Sequence, residues 1–549
     1  MKTHRRLGAC EWSTRATLLT VRLVLLASLV WGYALVPVAT AQTPQREMLL
    51  TLREATALAL QSNFDIQIAG LNPLIRAAQV SEREGIFDLT GRATLRASDT
   101  RLLDTATGVL HRVNDRLVGQ DDAQEQRLTV GISKLTPSGA TYDAELAESH
   151  LNTGRRTTQT ELKANRAGKT LGFPFDFRPS SELYTTEATL RATQPLLRNF
   201  GSEVTKTQIL LAQNNLAISK EDFRRQIIVI TSRVQQSYWD LVFRRQDLEV
   251  QLQQLVLARQ LLDQIRKQVA VGTLAPLDVL QAETTIARTE ERILVANNAL
   301  RAAEDRLKRV MNVSLVGAQA DVVILPADTP MYIAPTLNQD EEIRQALDQR
   351  SDLVQAKLAL ESQHISLVFD KNQLLPTLDM DASLRFNGID DRLLGGVGEI
   401  DPTKRYRWDI GVTFRYPLEN RQAKGRVQQA QLAIRQQMVR IKDLEENVIA
   451  DVRNAVRDVL TNSQRVQASR VSNRLAQKQL EAEEKKLQVG LATVFTTLQF
   501  QDVLAVQRSN EINAVTEFLK AQVRLEEAKS TLLQTYNIVL DADGPRLQP

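Results

Sequence analysis

The sequence predicts a mainly α-helical chain with a transmembrane β-barrel portion, in which long coiled-coil helical hairpins and amphipathic β-strands occur in two internal repeats. Two stretches without Gly or Pro carry apolar residues at every seventh position, which indicates long paired helices. Several shorter segments alternate apolar and polar residues, which is typical of strands with one apolar face. Two turn sequences, Gln268–Glu283 and Lys486–Gln501, resemble each other, which indicates duplication.

Residues 1–41 have the pattern of a secretory signal peptide. Five positive residues accompany an apolar run, Leu23–Val36, and a small-x-small pattern ends at Ala41. The run is shorter than the roughly 20 residues that a membrane-spanning helix needs. We therefore expect cleavage after Ala41, with an uncleaved anchor helix as the alternative.

Removal of this segment changes the charge and the cysteine content. It holds five of the 69 Lys and Arg and one of the 65 Asp and Glu, so 64 of each remain. A formally neutral mature chain gives no reason to expect a nucleic-acid partner. The only cysteine, Cys10, lies in the same segment, so the mature chain has neither a disulfide nor a lipid-anchor cysteine.

The rest of the chain divides into two repeats. Ala212 and Ala430, in similar sequences, each lie 60 residues before the glycine of a turn, Gly272 or Gly490. Each repeat is predicted to contain a helix, strands, a long helix, a sharp turn and a returning helix. The predicted parts are a first repeat at 42–312, an equatorial connector at 313–340, a second repeat at 341–540 and a C-terminal tail at 541–549.

The long helices carry their apolar residues at intervals of seven. No Gly or Pro occurs between Ser202 and Val271 or between Arg426 and Val489, which corresponds to roughly 100 Å of helix each. The stripe residues are Ile227, Val234, Leu241, Leu248, Leu255, Leu262 and Val269; Val279, Ile286, Ile293, Leu300 and Leu307; and Val452, Val459, Val466, Asn473, Leu480 and Leu487. Taken alone, these helices fit a structural rod or spacer.

Six segments are predicted to be strands with one apolar face. The clearest is Arg405–Tyr416, whose apolar residues would face lipid of the outer membrane while Arg405, Arg407, Asp409 and Arg415 line a wet lumen. The others are Phe87–Ser98, Gln126–Leu135, Thr141–Leu151, Leu183–Leu196 and Thr377–Phe386. For any single strand, a half-buried soluble hairpin is the alternative. An open sheet edge is not tolerated in lipid, so a barrel would be shared between protomers.

The junctions between strands and helices resemble those of the TolC-type outer membrane efflux protein family. They are "LRATQPLLRNFGSEV" (Leu190–Val204), "LLPTLDMDASL" (Leu374–Leu384) and "FRYPLENRQAKGRVQQAQLAI" (Phe414–Ile434). With the two turns, the resemblance covers the mature chain. It implies a homotrimeric α/β-barrel duct, with one β-barrel in the cell outer membrane and a helical tunnel in the periplasm. It also implies passive transport in a tripartite efflux or type I secretion system.

The same resemblance implies the partners and one departure. A periplasmic adaptor (membrane fusion) protein and an inner-membrane transporter of RND or ABC type would dock at the closed inner end of the tunnel. The family pattern has two strands per repeat and twelve in the barrel, whereas the first repeat here has two extra strand-like segments. They would either extend the barrel wall above the membrane or form a separate extracellular hairpin.

The turns, at 271–276 and 489–494, are the predicted tips of the tunnel. Each glycine is expected to take a left-handed conformation and end its helix, Pro276 to begin the next helix, and Thr493 to cap it. The residues predicted to dock the adaptor are Val271, Gly272, Thr273, Pro276, Val489, Gly490, Leu491 and Thr493.

The predicted gate differs from the family's charged lock. Thr496 and Gln499 stand where the best-studied pattern has acidic residues, and Leu487 and Ala492 replace a tyrosine and an arginine. Closure is therefore expected to rest on apolar packing. The candidate gate residues are Leu274, Leu487, Leu491 and Asp278. Asp278 would either form a weak cation-selective ring in the trimer or only stabilise the first turn of its helix.

An enzyme is not predicted. The mature chain has no cysteine, three histidines without ligand spacing, and no nucleophile elbow or phosphate loop, so we expect no cofactor and no metal. The competing class is an outer-membrane-anchored structural coiled-coil protein without a conduit. A rod has no need of a charged strand face, which favours the duct.

Overall fold

The computed structural model of the protein describes residues 47–104, 119–156, 181–314, 322–541 and 544–547. The predicted signal peptide at 1–41 lies outside these residues. Most of the described residues are helical, as the sequence predicts. None of the described helices combines the length and apolarity that crossing a membrane requires.

The elements of the first half lead from a short strand to a pair of long helices. In chain order they are β1 (Glu47–Leu50), α1 (Leu52–Ser62), α2 (Phe64–Glu84), four strands given below, α3 (Ser202–Thr205), α4 (Thr207–Ala270) and α5 (Pro276–Val310). Since α4 has 64 residues, it is about 96 Å long. The predicted helix after Ser202 is interrupted, because α3 ends at Thr205 before α4 begins.

The second half begins with a short strand and contains the longest helix. Its elements are β6 (Val323–Pro326), α6 (Gln339–Gln349), α7 (Ser351–Asn372), two strands given below with α8 (Gly395–Gly398) between them, α9 (Arg421–Gln488), α10 (Val494–Lys529), α11 (Leu532–Thr535), β9 (Ile538–Asp541) and β10 (Gly544–Leu547). The 68-residue α9 is about 102 Å long. It begins before Gly425, the glycine that precedes the predicted uninterrupted stretch.

The seven-residue stripe is buried or half-buried at every position predicted for it, from Ile227 to Leu487. The stripe joins α4 to α5 and α9 to α10, since residues of each pair belong to common apolar clusters. Its one polar member, Asn473, donates from Nδ2 to Glu511 Oε2 at 2.6 Å across the α9–α10 pair. The heptad spacing therefore predicted the packing face correctly.

Six strands form one antiparallel sheet in the order β2-β3-β4-β5-β7-β8. They are β2 (Thr90–Asp104), β3 (Gly119–Leu135), β4 (Thr141–Arg156), β5 (Ser181–Pro195), β7 (Thr377–Asp390) and β8 (Tyr406–Arg415). All six correspond to predicted segments. The first starts later than predicted because residues Gly85–Phe87 form a 3₁₀ turn. Both β2 and β8 are edge strands of an open sheet.

β3 and β4 are the two strands that the first repeat has beyond the family pattern, and both are part of this sheet. β3 pairs along its length with β2 on one side and β4 on the other, and β4 pairs with β5. The expectation of a hairpin separate from the other strands is therefore wrong.

The core lies near the middle of the long helices, where β1 and α1 meet the segment that contains β6. There β1 pairs in parallel with β6, which lies within the predicted connector. The Asp328 carboxylate accepts hydrogen bonds from the Leu52 backbone N–H at 2.6 Å and the Tyr238 hydroxyl at 2.7 Å. Burial, followed by this contact with Asp328, raises the pKa of Tyr238. The hydrogen bonds to Asp328 therefore hold the α1–α2 segment against α4.

Candidate functional site: an amphipathic sheet and two helical tips

The sheet has one apolar face, defined by the even-numbered residues of β8 and the positions in register with them. Trp408, Ile410 and Phe414 on β8 are 64%, 67% and 65% exposed. In register they pair with Leu384, Ala382 and Leu378 of β7. Large apolar side chains this exposed along one strand are rare on a protein in water, and they mark a surface that another apolar phase or partner covers.

The apolar face runs across all six strands. One row in register consists of Gly91, Ile132, Ala144, Leu190, Leu384 and Trp408, and the next of Ala93, Val130, Leu146, Ala188, Phe386 and Tyr406. A cleft of about 650 Å³ on this face is lined by residues from Leu89, beside β2, to Ile410 on β8. The apolar face of the single chain is therefore concave there.

The opposite, polar face carries ion pairs and hydrogen bonds between strands. Arg385 on β7 lies 2.9 Å from Glu187 on β5, and the Thr193 hydroxyl donates to Asp381 at 2.8 Å. On β8, Arg407 lies 3.1 Å from Asp409. Of the predicted lumen residues, Arg407, Asp409 and Arg415 share this face, whereas Arg405 directly precedes β8.

The two tips end their long helices with the same hydrogen bonds. Gly272 has a φ of +80° and Gly490 a φ of +73°, which confirms the predicted left-handed conformation. The backbone N–H of the residue after each glycine donates to the carbonyl five positions back, Thr273 to Gln268 and Leu491 to Lys486, at 2.9 Å in both. These are the bonds of a Schellman motif, so the two turns agree in geometry as well as in sequence.

The helices after the tips begin as predicted, with different caps. Pro276 occupies the first turn of α5, and the Thr493 hydroxyl accepts from the Thr496 backbone N–H at 3.2 Å at the start of α10. Asp278 accepts from the Ala275 backbone N–H at 3.1 Å. This is the contact expected of a first-turn aspartate that stabilises its helix.

The structure separates the candidate gate residues into two groups. Leu274 in the first tip and Leu487 in the last turn of α9 both pack against an apolar cluster that includes Val494 and Leu498 of α10. Leu491 lies outside this cluster and is 79% exposed. The sequence did not indicate that α10 supplies the residues that join the two tips.

Partly buried ion pairs of Lys520 link α10 to α4 at mid-height, and the sequence did not indicate them. Lys520 on α10 lies 2.7 Å from both Asp240 on α4 and Glu517. Burial alone would lower the pKa of Lys520, but the hydrogen bonds to Asp240 and Glu517 outweigh it and the pKa is raised. No group of three or more potential metal ligands occurs in the part of the chain that the structure describes.

The architecture joins a sheet with one apolar face to helices of about 100 Å. Structures of CusC, described in terms of folding and transmembrane channel formation, match with a TM-score of 0.60 and 15% identity over 87% of this chain and 91% of theirs. The Campylobacter jejuni CmeC outer membrane channel matches with a TM-score of 0.59 and 13% identity over 88% of this chain and 86% of its own. These likenesses establish the fold.

The chain belongs to the outer membrane efflux protein family, whose pattern it matches at residues 150–313 and 343–529. It is 24% identical to outer membrane protein TolC of Escherichia coli strain K12 over 291 residues. That match covers 51% of this chain and only 57% of the relative's length. As a family member the protein is located in the outer membrane, with its helical part in the periplasm.

Proposed function

We propose that the protein is the exit duct of a tripartite efflux or type I secretion system and passes substrates passively out of the periplasm. One observation carries this proposal: the chain joins a sheet that has an apolar and an ion-paired face to helices of about 100 Å that end in two matched tips. A sheet of this kind fits a lipid boundary around a wet lumen. Helices of this length reach deep into the periplasm.

A homotrimer would supply the strand partners that the two edges of the sheet lack. The edges of β2 and β8 have no strand partner within the sheet, and unpaired edge backbone is not tolerated in lipid. Pairing of β8 in one copy with β2 in the next would close a common barrel, with the polar face around the lumen and the apolar face on outer membrane lipid. A cleft lies on the apolar face in the single chain, so this face would have to open outwards when the barrel closes.

The order of elements supports two repeats. A helix, α2, leads into strands, then into α4, the first tip and α5; likewise α7 leads into strands, then into α9, the second tip and α10. Three chains would therefore present six tips of the same backbone geometry in a ring. The ring would be the closed end of a periplasmic tunnel.

A periplasmic adaptor would dock on these tips, with an inner-membrane transporter of RND or ABC type behind it. Val271, Val489 and Leu491 are 74%, 69% and 79% exposed at the ends of the helical hairpins. Apolar side chains concentrated at a tip are favourable contact points for a partner because covering them removes apolar surface from water.

Closure of the tunnel would rest on the cluster between the tips rather than on charge. The cluster against which Leu274 and Leu487 pack already joins the two hairpins of one chain. Opening would then require one hairpin to move away from the other. In this scheme Asp278 keeps its role at the start of α5, and in the trimer three copies would lie near the mouth.

The competing function is an anchored structural rod, and one experiment separates the two. Purified trimer is inserted into planar lipid bilayers and single-channel current is recorded. The duct predicts discrete, reproducible conductance steps. A folded trimer that inserts but carries no current would rule out the duct and favour the rod.

A further inference from the structure

We propose that the β3–β4 hairpin crosses the membrane with the other four strands, so that its apolar face contacts lipid and a trimer forms an eighteen-stranded barrel. This inference rests on the proposed duct function. It differs from both expectations for the extra strands, because it gives the hairpin neither an extracellular position nor one above the membrane.

The hairpin turn lies at the helical end of the sheet. The Ser138 carbonyl accepts from the Gly201 backbone N–H at 3.1 Å, and Gly201 is the residue directly before α3. The Ser138 hydroxyl donates to Gln194 Oε1 at 3.3 Å, at the end of β5. A side chain at Gly139 would come within 2.5 Å of the Asn199 carbonyl, so the turn packs directly against the junction. The hairpin therefore starts at the same level as the strands that lead into the helices.

The hairpin is long enough to span. β3 has 17 residues and β4 has 16, whereas a transmembrane strand needs about 9–11. Both strands are paired without interruption from the junction outwards. A hairpin that begins at the periplasmic junction and continues in register for this length passes through the same layer as β5 and β7.

The apolar band of the hairpin is bounded by polar residues at both ends. On the apolar face of β3, Leu128, Val130 and Ile132 follow one another, and Lys134 ends the run near the turn. On β4, the run ends at Glu148, a buried carboxylate that accepts from the Leu394 backbone N–H at 3.0 Å. Leu128 and Lys134 are six residue steps apart, which corresponds to about 20 Å, comparable to the apolar band of about 25 Å in outer membrane barrels.

The polar face of the hairpin continues the charged network of the other strands. Arg127 on β3 lies 3.8 Å from Glu187 on β5, the residue that also pairs with Arg385 on β7. Arg92 on β2 lies 3.8 Å from Glu145 on β4. In both cases a strand runs between the partners, so the ion pairs extend across the polar face as a lumen lining would.

Six strands per chain give a wider exit than four would. Barrel diameter grows roughly linearly with strand number, so eighteen strands make a barrel about half as wide again as twelve, within the range that leaves an aqueous channel. The sheet would then offer less resistance to bulky substrates than the helical tips. The narrowest point would be at the periplasmic end.

Single cysteines test the position of the hairpin, because the chain has no cysteine after Cys10. Thr129 and Val130 are neighbours on β3 with side chains on opposite faces. In membrane-inserted trimers, a water-soluble maleimide is expected to label Thr129→Cys and to leave Val130→Cys at least tenfold less modified, while both react after denaturation. Equal labelling of the two, high or low, would overturn the proposal.

Two further measurements keep this test separate from the duct. Counting strands in a density map of the trimer is expected to give eighteen, and twelve would overturn the hairpin proposal without affecting the duct. Conductance of the same cysteine variants in bilayers tests the duct itself. Conducting trimers with equal labelling would reject only the inference drawn here.

Discussion

Leu274 lies in the first tip and Leu487 in the last turn of α9, beside the second tip, yet both pack against the same apolar cluster of α4, α5 and α10. This contact holds the two hairpins of one chain side by side at the end that we assign to the closed tunnel. Several consequences can be measured.

Replacing Leu487 by aspartate is expected to open the tip. The new carboxylate would pack against the apolar cluster that includes Val494 and Leu498, where burying an unpaired charge is strongly unfavourable, so the hairpins would separate. We expect larger single-channel conductance in planar bilayers. Leu491→Asp is the matched control, since this side chain is 79% exposed and should leave conductance unchanged. Unchanged closure in Leu487→Asp would contradict gating by apolar packing.

The tip glycines are expected to be needed for their backbone conformation. Gly272→Ala and Gly490→Ala each place a side chain at a φ of +80° or +73°, which costs about 1–2 kcal/mol. Gly425→Ala is the contrasting variant, since Gly425 lies inside α9 with open space around it and should gain about 0.5–1 kcal/mol. Circular dichroism melting measures both, and loss of stability in Gly425→Ala as large as at the tips would be inconsistent with this account.

Glu304 on α5 is expected to make stability depend on pH. Burial, only partly offset by Arg301 and Lys308, raises the pKa of its carboxyl above the usual 4.5. The folded chain therefore binds this proton more tightly than the unfolded chain, and stability falls as pH rises from about 4.5 through the raised pKa.

Glu304→Gln should remove that part of the pH dependence and raise the melting temperature at neutral pH. The control is Glu290→Gln, whose carboxylate is half exposed and pairs with Arg259 at 2.8 Å. If the melting temperature of Glu304→Gln depends on pH as that of the unmodified protein does, burial of this carboxyl does not affect stability.

Trp408 is expected to contact lipid. Trp239 and Trp408 are the only tryptophans after residue 41, and Trp239 is buried among the helices. Brominated lipids should therefore quench the fluorescence of the membrane-inserted trimer. Quenching should disappear in Trp408→Phe. Equal quenching in that variant would place the apolar face of β8 away from lipid.

The local elements were predictable because their signals are local. The alternation around Trp408 indicated a two-faced strand, and the seven-residue spacing through Val234 and Val459 indicated the buried side of each long helix. Gly272 and Gly490 marked the tips because few other residues adopt a positive φ.

The long-range arrangement could not be predicted in the same way. The bond between Lys520 and Asp240 joins residues 280 positions apart, and nothing in either neighbourhood indicates the partner. Likewise, the alternation in β3 predicted its two faces but not the strands with which it pairs, because register depends on pairing with distant strands. The packing of Leu274 and Leu487 against one shared apolar cluster belongs to the same class of contact.

The central claim is that three copies enclose one continuous passage from the barrel to the tips. A density map of the purified protein in lipid nanodiscs tests it most directly. We predict three chains, a lipid-embedded barrel with the polar face inside, and a helical tunnel that narrows at Gly272 and Gly490. Sheets lying outside the lipid, or helices packed without a lumen, would contradict it.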